Sequence, residues 1–266
     1  MSVSITSLVD TRTTESCRSE FGLAIYMNVY GRRLLLDTGA GDALTPNAAA
    51  LGVNLDSLDG IILSHGHYDH TGGLARLSPL CPIYAGAMVT AQCFSRHDDG
   101  FVHAISMPSD SQAVLSAAEM HEIDAFTEIL PGVFLTGPIP RTSGEGCGGN
   151  FFSDAACTIP NTVPEEQAVL LKDGVLVTGC CHAGLINTLE ACAKARPNIP
   201  IRTIVGGLHL LHADEARLDK TAKYLASLDL EQVILMHCTG DAAADFLKGH
   251  LRCKVSWAMA GETIEF

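Results

Sequence analysis

The chain has 266 residues, of which 47% are hydrophobic and 18% charged, so it can bury a core and disorder is excluded as its main state. Its 17 Lys and Arg residues against 30 Asp and Glu residues give a formal charge of −13, which argues against a nucleic-acid partner because phosphate binding relies on clustered basic groups. No apolar run approaches the roughly 18 residues of a membrane span, and the first residues lack a signal-peptide pattern. We therefore expect a cytoplasmic protein with no membrane partner.

The amino-terminal part is predicted to be rich in β-strands. Apolar runs over VSITSLVD, FGLAIYMNVYG and RRLLLD predict three strands, the last of which ends at Asp37. A short helix is predicted from Pro46 to Leu51. The segment DGIILSHGHYDHTGGLARL then predicts a strand, a loop and a helix, and CPIYAG predicts the next short strand.

The middle of the chain, about residues 86–165, is interrupted by Gly, Pro and Ser. Weak strands are predicted around HAISM and GVFLTG, and the segment IPRTSGEGCGGNFFSDAAC is too rich in glycine for a regular element. Long irregular segments in compact proteins are usually functional or disordered. We expect an irregular insertion that covers the active site, within one domain that spans residues 1–266.

The last hundred or so residues alternate strands with helices. EQAVLLKDGVLVTG predicts a hairpin around Asp173 and Gly174, IRTIVGG and QVILMHCTGD predict strands, and CHAGLINTLEACAKAR and ADEARLDKTAKYLASL predict helices. This alternation is typical of a layered α/β architecture.

Four apolar runs lead into a histidine and then a loop or helix: IILSHGHYDHTGG, VLVTGCCHAGL, RTIVGGLHLLHA and VILMHCTGDAA. Active sites of α/β proteins collect where loops leave the carboxyl ends of strands. We therefore expect these histidines to converge on one edge.

The densest chemical pattern is HGHYDH at residues 65–70. Neutral imidazole and carboxylate are ligands for zinc, iron and manganese ions. Adjacent positions diverge on a regular element, so we predict a loop that divides its ligands, with His65 and His67 on one ion and Asp69 and His70 on another. The alternative is a polar, solvent-exposed turn whose histidines cap the next helix.

The motifs LLLDTG, SHGHYDHTGGL, Gly–Cys–Cys–His and His–Cys–Thr–Gly together resemble the metallo-β-lactamase superfamily over nearly the whole chain. The resemblance implies an α/β fold, a four-layer αββα sandwich, with one or two divalent metal ions, for which we expect zinc, with iron and manganese as alternatives. TGCCHAGLINTL, GGLHLL and MHCTGDAA further resemble the subgroup of 7,8-dihydropterin-6-ylmethyl-4-(β-D-ribofuranosyl)aminobenzene 5′-phosphate synthases.

The resemblance also implies roles for individual residues. Asp37 would support the metal loop by hydrogen bonding, although a simple Asx turn is an equal alternative. His237 would complete the second metal position, the alternative being a core histidine. His182 would supply an imidazole that the usual pattern places elsewhere. Cys180 occupies the position where a bridging Asp is usual, and either Cys180 or Cys181 would lie near the metal.

Three residues are candidates for catalysis or substrate binding. Asp69 would orient the attacking water and relay its proton, which makes it a catalytic candidate as well as a ligand. His209 would be a catalytic or phosphate-binding residue, a further metal ligand or a structural histidine. Arg141 would offer a planar donor fork to phosphate, or be an ordinary solvated arginine.

We expect an enzyme that acts on an anionic, phosphorylated small molecule. In the synthase reaction, diphosphate leaves a dihydropterin as it condenses with an aminobenzene ribose phosphate. The alternatives are a metal-dependent hydrolase of a phosphoester, thioester or lactone, and a non-catalytic metal or redox sensor that uses Cys180, Cys181 and Cys238. The sequence leaves the oligomeric state open.

Replacing His67 or Asp69 by Ala is predicted to remove bound metal without unfolding the protein, because each change deletes a ligand and no apolar core. Elemental analysis of the purified variants, with circular dichroism as the control for folding, measures this. Unchanged metal content in both variants would contradict the assignment.

Overall fold

The computed structural model describes residues 3–266. The strands of this range are β1 (Val3–Val9), β2 (Ala24–Val29), β3 (Arg32–Leu36), β4 (Gly60–Ile62), β5 (Ile83–Ala85), β6 (Phe94–Arg96), β7 (Val102–Ala104), β8 (Met120–Glu122), β9 (Thr127–Leu130), β10 (Val133–Leu135), β11 (Phe151–Phe152), β12 (Val169–Leu171), β13 (Val175–Thr178), β14 (Thr203–Gly206), β15 (Gln232–Leu235), β16 (Lys254–Trp257) and β17 (Thr263–Glu265). The helices are α1 (Leu44–Ala50), α2 (Tyr68–Thr71), α3 (Ser109–Ala117), α4 (Leu185–Ala195), α5 (Glu215–Ala226) and α6 (Asp241–His250). Short 3₁₀ helices cover Leu55–Ser57, Gly72–Arg76 and His237–Thr239.

The chain forms two compact units. The first unit holds the described residues up to Ile123 together with Asn150–Asn161 and Ala258–Phe266, and the second holds Asp124–Gly149 and Thr162–Trp257. The single-domain organisation over residues 1–266 stays a prediction.

A seven-stranded sheet organises the first unit, in the order β17-β1-β2-β3-β4-β5-β8. Its strands are antiparallel from β17 to β3 and parallel from β3 to β8. Leu36 pairs with Ile62, so β3 and β4 end side by side and the chain leaves both at the same edge. A small sheet, β11-β6-β7, belongs to the same unit.

Helix α1 covers one face of this sheet with small and aliphatic side chains. Leu44 and Ala48 of α1 are in one buried cluster with Leu35, Ile61 and Ile83 of the strands. Burying a leucine-sized side chain contributes roughly 1.5–3 kcal/mol, so this cluster anchors the strand ends that carry the polar loops.

The second unit has its own seven-stranded sheet, in the order β16-β15-β14-β13-β12-β10-β9. Strands β13 to β16 are parallel, and Thr178, Gly206 and Leu235 lie next to each other in register. The loops after β13, β14 and β15 therefore leave from one edge. Helices α4, α5 and α6 pack on the sheet through Leu189, Leu225 and Leu247, among others.

The predicted helix over 46–51 begins earlier, at Leu44, and the two long carboxyl-terminal helices lie where the sequence predicts them. Helix α3 was not expected, and α6 is the helix of the two alternatives, loop or helix, that the sequence offers after VILMHCTGDAA. The buried residues of α3 are Ser111 and Leu115, which give a weak apolar periodicity. Within residues 3–266, helices long and apolar enough to cross a bilayer are absent.

Two glycines allow the segment after β3 to touch the segment after the HGHYDH motif. A Cβ at Gly73 would lie 1.9 Å from the carbonyl oxygen of Thr38, and one at Gly72 would lie 2.2 Å from that of Ala40. The close approach permits hydrogen bonds from Thr38 N to His70 O (2.7 Å) and from Gly73 N to Gly39 O (3.0 Å).

The variant Gly73→Ala is therefore expected to destabilise the fold by about 1–3 kcal/mol, the range for overpacking. Urea unfolding followed by circular dichroism measures the change. Gly249→Ala is the control, since this exposed glycine of α6 has open space around it and Ala favours a helix by about 0.5–1 kcal/mol. Equal stability of Gly73→Ala and the parent protein would contradict the close packing.

Candidate metal centre

The first unit gathers the four predicted donors of the HGHYDH motif. His65 and His70 are fully buried, and His67 and Asp69 are nearly so. The ring centroid of His65 lies 4.5 Å from that of His67 and 4.2 Å from that of His70. His70 Nε2 lies 3.6 Å from Asp69 Oδ2. The solvent-exposed turn is excluded by this burial.

The predicted loop is only partly a loop, because Tyr68–Thr71 form the single turn of α2. Asp69 and His70 are consecutive helical residues, yet their donor atoms approach each other because the long imidazole reaches back toward the carboxylate. The expectation that the donor atoms of adjacent residues point apart was therefore wrong for Asp69 and His70.

Asp37 is the buried carboxylate that holds this group in place. Its Oδ1 accepts from Ser64 N (2.7 Å), and its Oδ2 accepts from Ser64 Oγ (2.6 Å) and lies 2.7 Å from His70 Nδ1. Ser64 Oγ also lies 2.9 Å from His65 Nδ1. Contacts of this kind fix the orientation of an imidazole whose Nε2 ligates a metal. Ser64 was not among the predicted site residues.

His67 is oriented through other contacts. Its Nε2 lies 3.5 Å from Cys93 Sγ, its ring lies 5.2 Å from that of Phe151, and its carbonyl oxygen accepts from Thr71 Oγ1 at 2.8 Å. Cys93 is buried, and sequence spacing gives no signal for it because it lies in the irregular middle of the chain.

The second unit gathers another set of donors at the ends of three adjacent parallel strands. Cys180, His182 and His209 have donor atoms within 4.8 Å of one another, and so do Cys180, His237 and Cys238. His209 is half-buried, whereas the other four residues are buried.

Backbone strain accompanies these donors. Asp37, His209 and His237 have φ values of 58°, 48° and 46°, and Cys181 has 67°. Residues other than glycine in this left-handed region cost about 1–3 kcal/mol each, and such strain clusters at functional sites. All four follow a strand end of their sheet.

Glu166 anchors the second unit and was missed from the sequence. Its Oε1 accepts from His182 N (2.6 Å) and its Oε2 from Ala183 N (2.5 Å). Burial raises the pKa of this carboxyl group to about 7, although hydrogen bonds from Ala183 and His182 and the charge of Arg141 oppose the rise. In the sequence Glu166 is one of two adjacent glutamates before an apolar run, and its neighbours do not distinguish it.

The glycine-rich loop of residues 141–149 lies against the donors of this unit. His182 Nδ1 lies 2.9 Å from the carbonyl oxygen of Cys147, and a Cβ at Gly148 would meet the ring of His209 at 2.0 Å. Glu145 accepts from Ile186 N at 3.1 Å, at the start of α4.

Arg141 donates to backbone carbonyl groups. Its guanidinium contacts the oxygens of His182 (2.6 Å), Thr162 and Val163 (3.4 Å). Val163 has a φ of 54°, so the arginine supports a strained turn as well as the turn of His182. The phosphate-binding role of Arg141 stays a prediction.

The thiols of this unit differ in their surroundings. Burial raises the pKa of Cys181 well above its ordinary value, and its Sγ lies 3.6 Å from Thr188 Oγ1. For Cys238, burial also raises the pKa, but hydrogen bonds with Cys180 and His209 and the charges of His209 and His237 outweigh it, so the net pKa lies well below its ordinary value.

These donors suit a divalent transition metal. Buried imidazoles, a carboxylate and thiols are the ligand types of zinc and iron. In the first unit, the Asp37 carboxylate and the Ser64 hydroxyl orient two of the imidazoles, as the neighbours of metal-binding histidines do.

The chain belongs to the metallo-β-lactamase superfamily, whose sequence profile matches residues 21–162. The fold agrees: the structure of a metal-dependent hydrolase of the β-lactamase superfamily has a TM-score of 0.88 to this chain and is 29% identical, with 99% of each chain covered. The predicted α/β fold of this superfamily is confirmed.

A curated relative is the 7,8-dihydropterin-6-methyl-4-(β-D-ribofuranosyl)-aminobenzene-5′-phosphate synthase of Methanocaldococcus jannaschii. It is 25% identical over 93% of this chain and 90% of its own length. A diphosphatase structure shares the fold alone, with 15% identity, a TM-score of 0.55 and coverage of 100% of this chain and 98% of its own.

The variant Asp37→Asn is expected to weaken metal binding about 10–100-fold, because outer partners of ligating histidines have effects of this size. Asparagine also tolerates a positive φ, so the change isolates the carboxylate charge from the backbone. Competition with a chromophoric chelator measures the affinity. Asp42→Asn, at a side chain that is 95% exposed, is the control. Equal affinity of Asp37→Asn and the parent protein would contradict the anchoring role.

Proposed function

We propose that the protein is a metal-dependent enzyme that acts on a phosphorylated small molecule and releases diphosphate. The name of the M. jannaschii relative describes a synthase whose product is a phosphorylated pterin compound. The similarity to that synthase along 93% of the chain is the observation that carries the proposal. The buried donors of each unit support the metal dependence.

The proposed metal ligands are His65, His67, Asp69, His70, His182 and His237, which would hold one or two divalent ions. We propose zinc as the native ion, with iron and manganese as alternatives. A divalent ion at such a site supplies charge to stabilise phosphate oxygens and lowers the pKa of a bound water.

The protein residues would perform three tasks. Asp69 would hold or move a proton at its Oδ2. His209 is assigned to the substrate because it is less buried than His182 and His237, and a half-buried ring can both donate to phosphate and remain accessible. Arg141, also half-buried, would add positive charge for the phosphate.

In each unit the donor side chains are held in place before substrate binds, which favours catalysis. Asp37 and Glu166 fix the groups around them through short hydrogen bonds. Groups that are already oriented need no reorganisation as charge develops, which is usually a large part of catalysis in closed sites.

Hydrolysis is the second candidate, because the 29% identical structure is described as a metal-dependent hydrolase. The substrate classes would be a phosphoester, a thioester or a lactone. In that reaction Asp69 would orient water for attack, whereas in the synthase reaction the aminobenzene compound displaces diphosphate.

The decisive assay supplies the metal-loaded protein with a dihydropterin methyl diphosphate and an aminobenzene ribofuranoside 5′-phosphate. Diphosphate release that requires both compounds is expected. Asp69→Asn should lower turnover at least about 100-fold, the lower range for a lost proton-transfer group. Asp56→Asn, at an exposed residue of the first unit, is the control.

Hydrolysis of bis(p-nitrophenyl) phosphate, a thioester or a lactone without diphosphate release would favour the hydrolase. A metal-loaded protein that is inert toward all of these compounds would contradict both enzymatic proposals and favour a metal or redox sensor.

A further inference from the structure

The thiol–imidazole cluster, which we define as Cys180, His182, His209, His237 and Cys238, has a sulfur atom at its centre. Cys180 Sγ belongs to both groups of donor atoms that lie within 4.8 Å of one another: it is grouped with His182 and His209, and also with His237 and Cys238. Each of the other four residues belongs to one of these two groups. Cys180 Sγ therefore lies within 4.8 Å of a donor atom of each of the other four residues.

The fold places Cys180 there through the parallel strands. Thr178, at the end of β13, pairs with Gly206 of β14, which pairs with Leu235 of β15. Cys180 follows β13, His209 follows β14, and the His237–Cys238 pair follows β15. Neighbouring parallel strands thus bring three short loops together around one thiol.

The backbone also leaves space for the sulfur atoms. A Cβ at Gly207 would lie 2.7 Å from Cys238 Sγ and 3.5 Å from Cys180 Cα, and 2.5 Å from the carbonyl oxygen of Gly179. A side chain at this position would displace the thiol. Cys238 Sγ lies 3.6 Å from the carbonyl oxygen of Cys180, so the two cysteines are in direct contact.

We propose that Cys180 binds metal directly through its thiolate, so that the metal centre contains sulfur as well as nitrogen ligands. This inference rests on the proposed metal dependence. Cysteine ligates zinc at about 2.3 Å and histidine at about 2.0–2.1 Å, so two donors of one tetrahedral ion lie roughly 3.5 Å apart. Spacings under 4.8 Å need only small side-chain movements to reach this geometry.

Cys181 provides a contrast within the same turn. It is buried, but its Sγ faces Thr188 Oγ1 of α4 at 3.6 Å, and it belongs to the apolar cluster with Leu185 and Leu189. Two adjacent cysteines thus have different surroundings, one among imidazoles and one among aliphatic side chains. Cys181 is the matched control for Cys180.

A thiolate ligand would make the donor set softer and would reduce the net positive charge of the bound ion and its ligands. A thiolate donates more charge to an ion than a neutral imidazole does, and it favours zinc or iron over magnesium and calcium. The centre would therefore select its metal by ligand type.

The first experiment uses the unmodified protein. X-ray absorption spectra of the zinc-loaded enzyme should contain a metal–sulfur distance of about 2.3 Å beside shorter metal–nitrogen and metal–oxygen distances. Cobalt-loaded protein should show a near-ultraviolet thiolate-to-cobalt charge-transfer band. Because neither measurement needs a variant, a folding defect in a variant leaves the proposal testable.

The variants then identify the sulfur. Cys180→Ser should lose the band and the metal–sulfur distance and bind metal at least about 10-fold more weakly. Cys181→Ser should keep both signals. A band that survives in Cys180→Ser and disappears in Cys238→Ser would overturn the assignment.

The two proposals fail in different ways. Metal-loaded, active protein with nitrogen and oxygen ligands alone would overturn the thiolate ligand and leave the proposed function standing. Protein that binds no divalent metal would overturn both. Metal–sulfur ligation in a protein inert toward every substrate would support the ligand and contradict the proposed enzyme.

Discussion

Each unit of this protein depends on one buried carboxylate that accepts hydrogen bonds at the end of a strand. In the first unit Asp37 links the ends of β3 and β4 and contacts His70. In the second, Glu166 holds the turn that carries His182 and Ala183. A buried carboxylate without such donors would cost several kcal/mol, so the carboxylate and its donors stabilise one geometry together.

This arrangement explains how strained turns persist beside the candidate ligands. The positive φ values of His209 and His237 oppose the ordinary preference of the backbone. The strands before them are fixed by parallel pairing and by a buried apolar cluster, whose burial contributes far more than the strain costs. Stable strands thus allow the polar loops at their ends to adopt geometries that a free peptide would avoid.

Much of this organisation could be predicted from the sequence, because it depends on local patterns. The apolar runs before His65 and His237 are strands, and the HGHYDH motif forms a buried donor group. Glu166, Ser64 and Cys93 could not be found this way, since each acts through a partner that only folding brings near. For Glu166 the partner is 16 residues away in the chain, and for Cys93 it is 26. Helix α3 escaped prediction for a different reason, which is that its buried residues, Ser111 and Leu115, give little apolar periodicity.

The glycine-rich loop before α4 has a composition typical of mobile chain, yet its polar groups are tied to that helix. Thr142 N and Ser143 N donate to Asn187 Oδ1 at 2.9 and 2.8 Å, and Glu145 accepts from the first turn of α4. Ordering a free residue costs about 1–2 kcal/mol of conformational entropy. Here the loop is ordered when the second unit folds. A molecule that binds against it would therefore lose little of its binding free energy to ordering the chain.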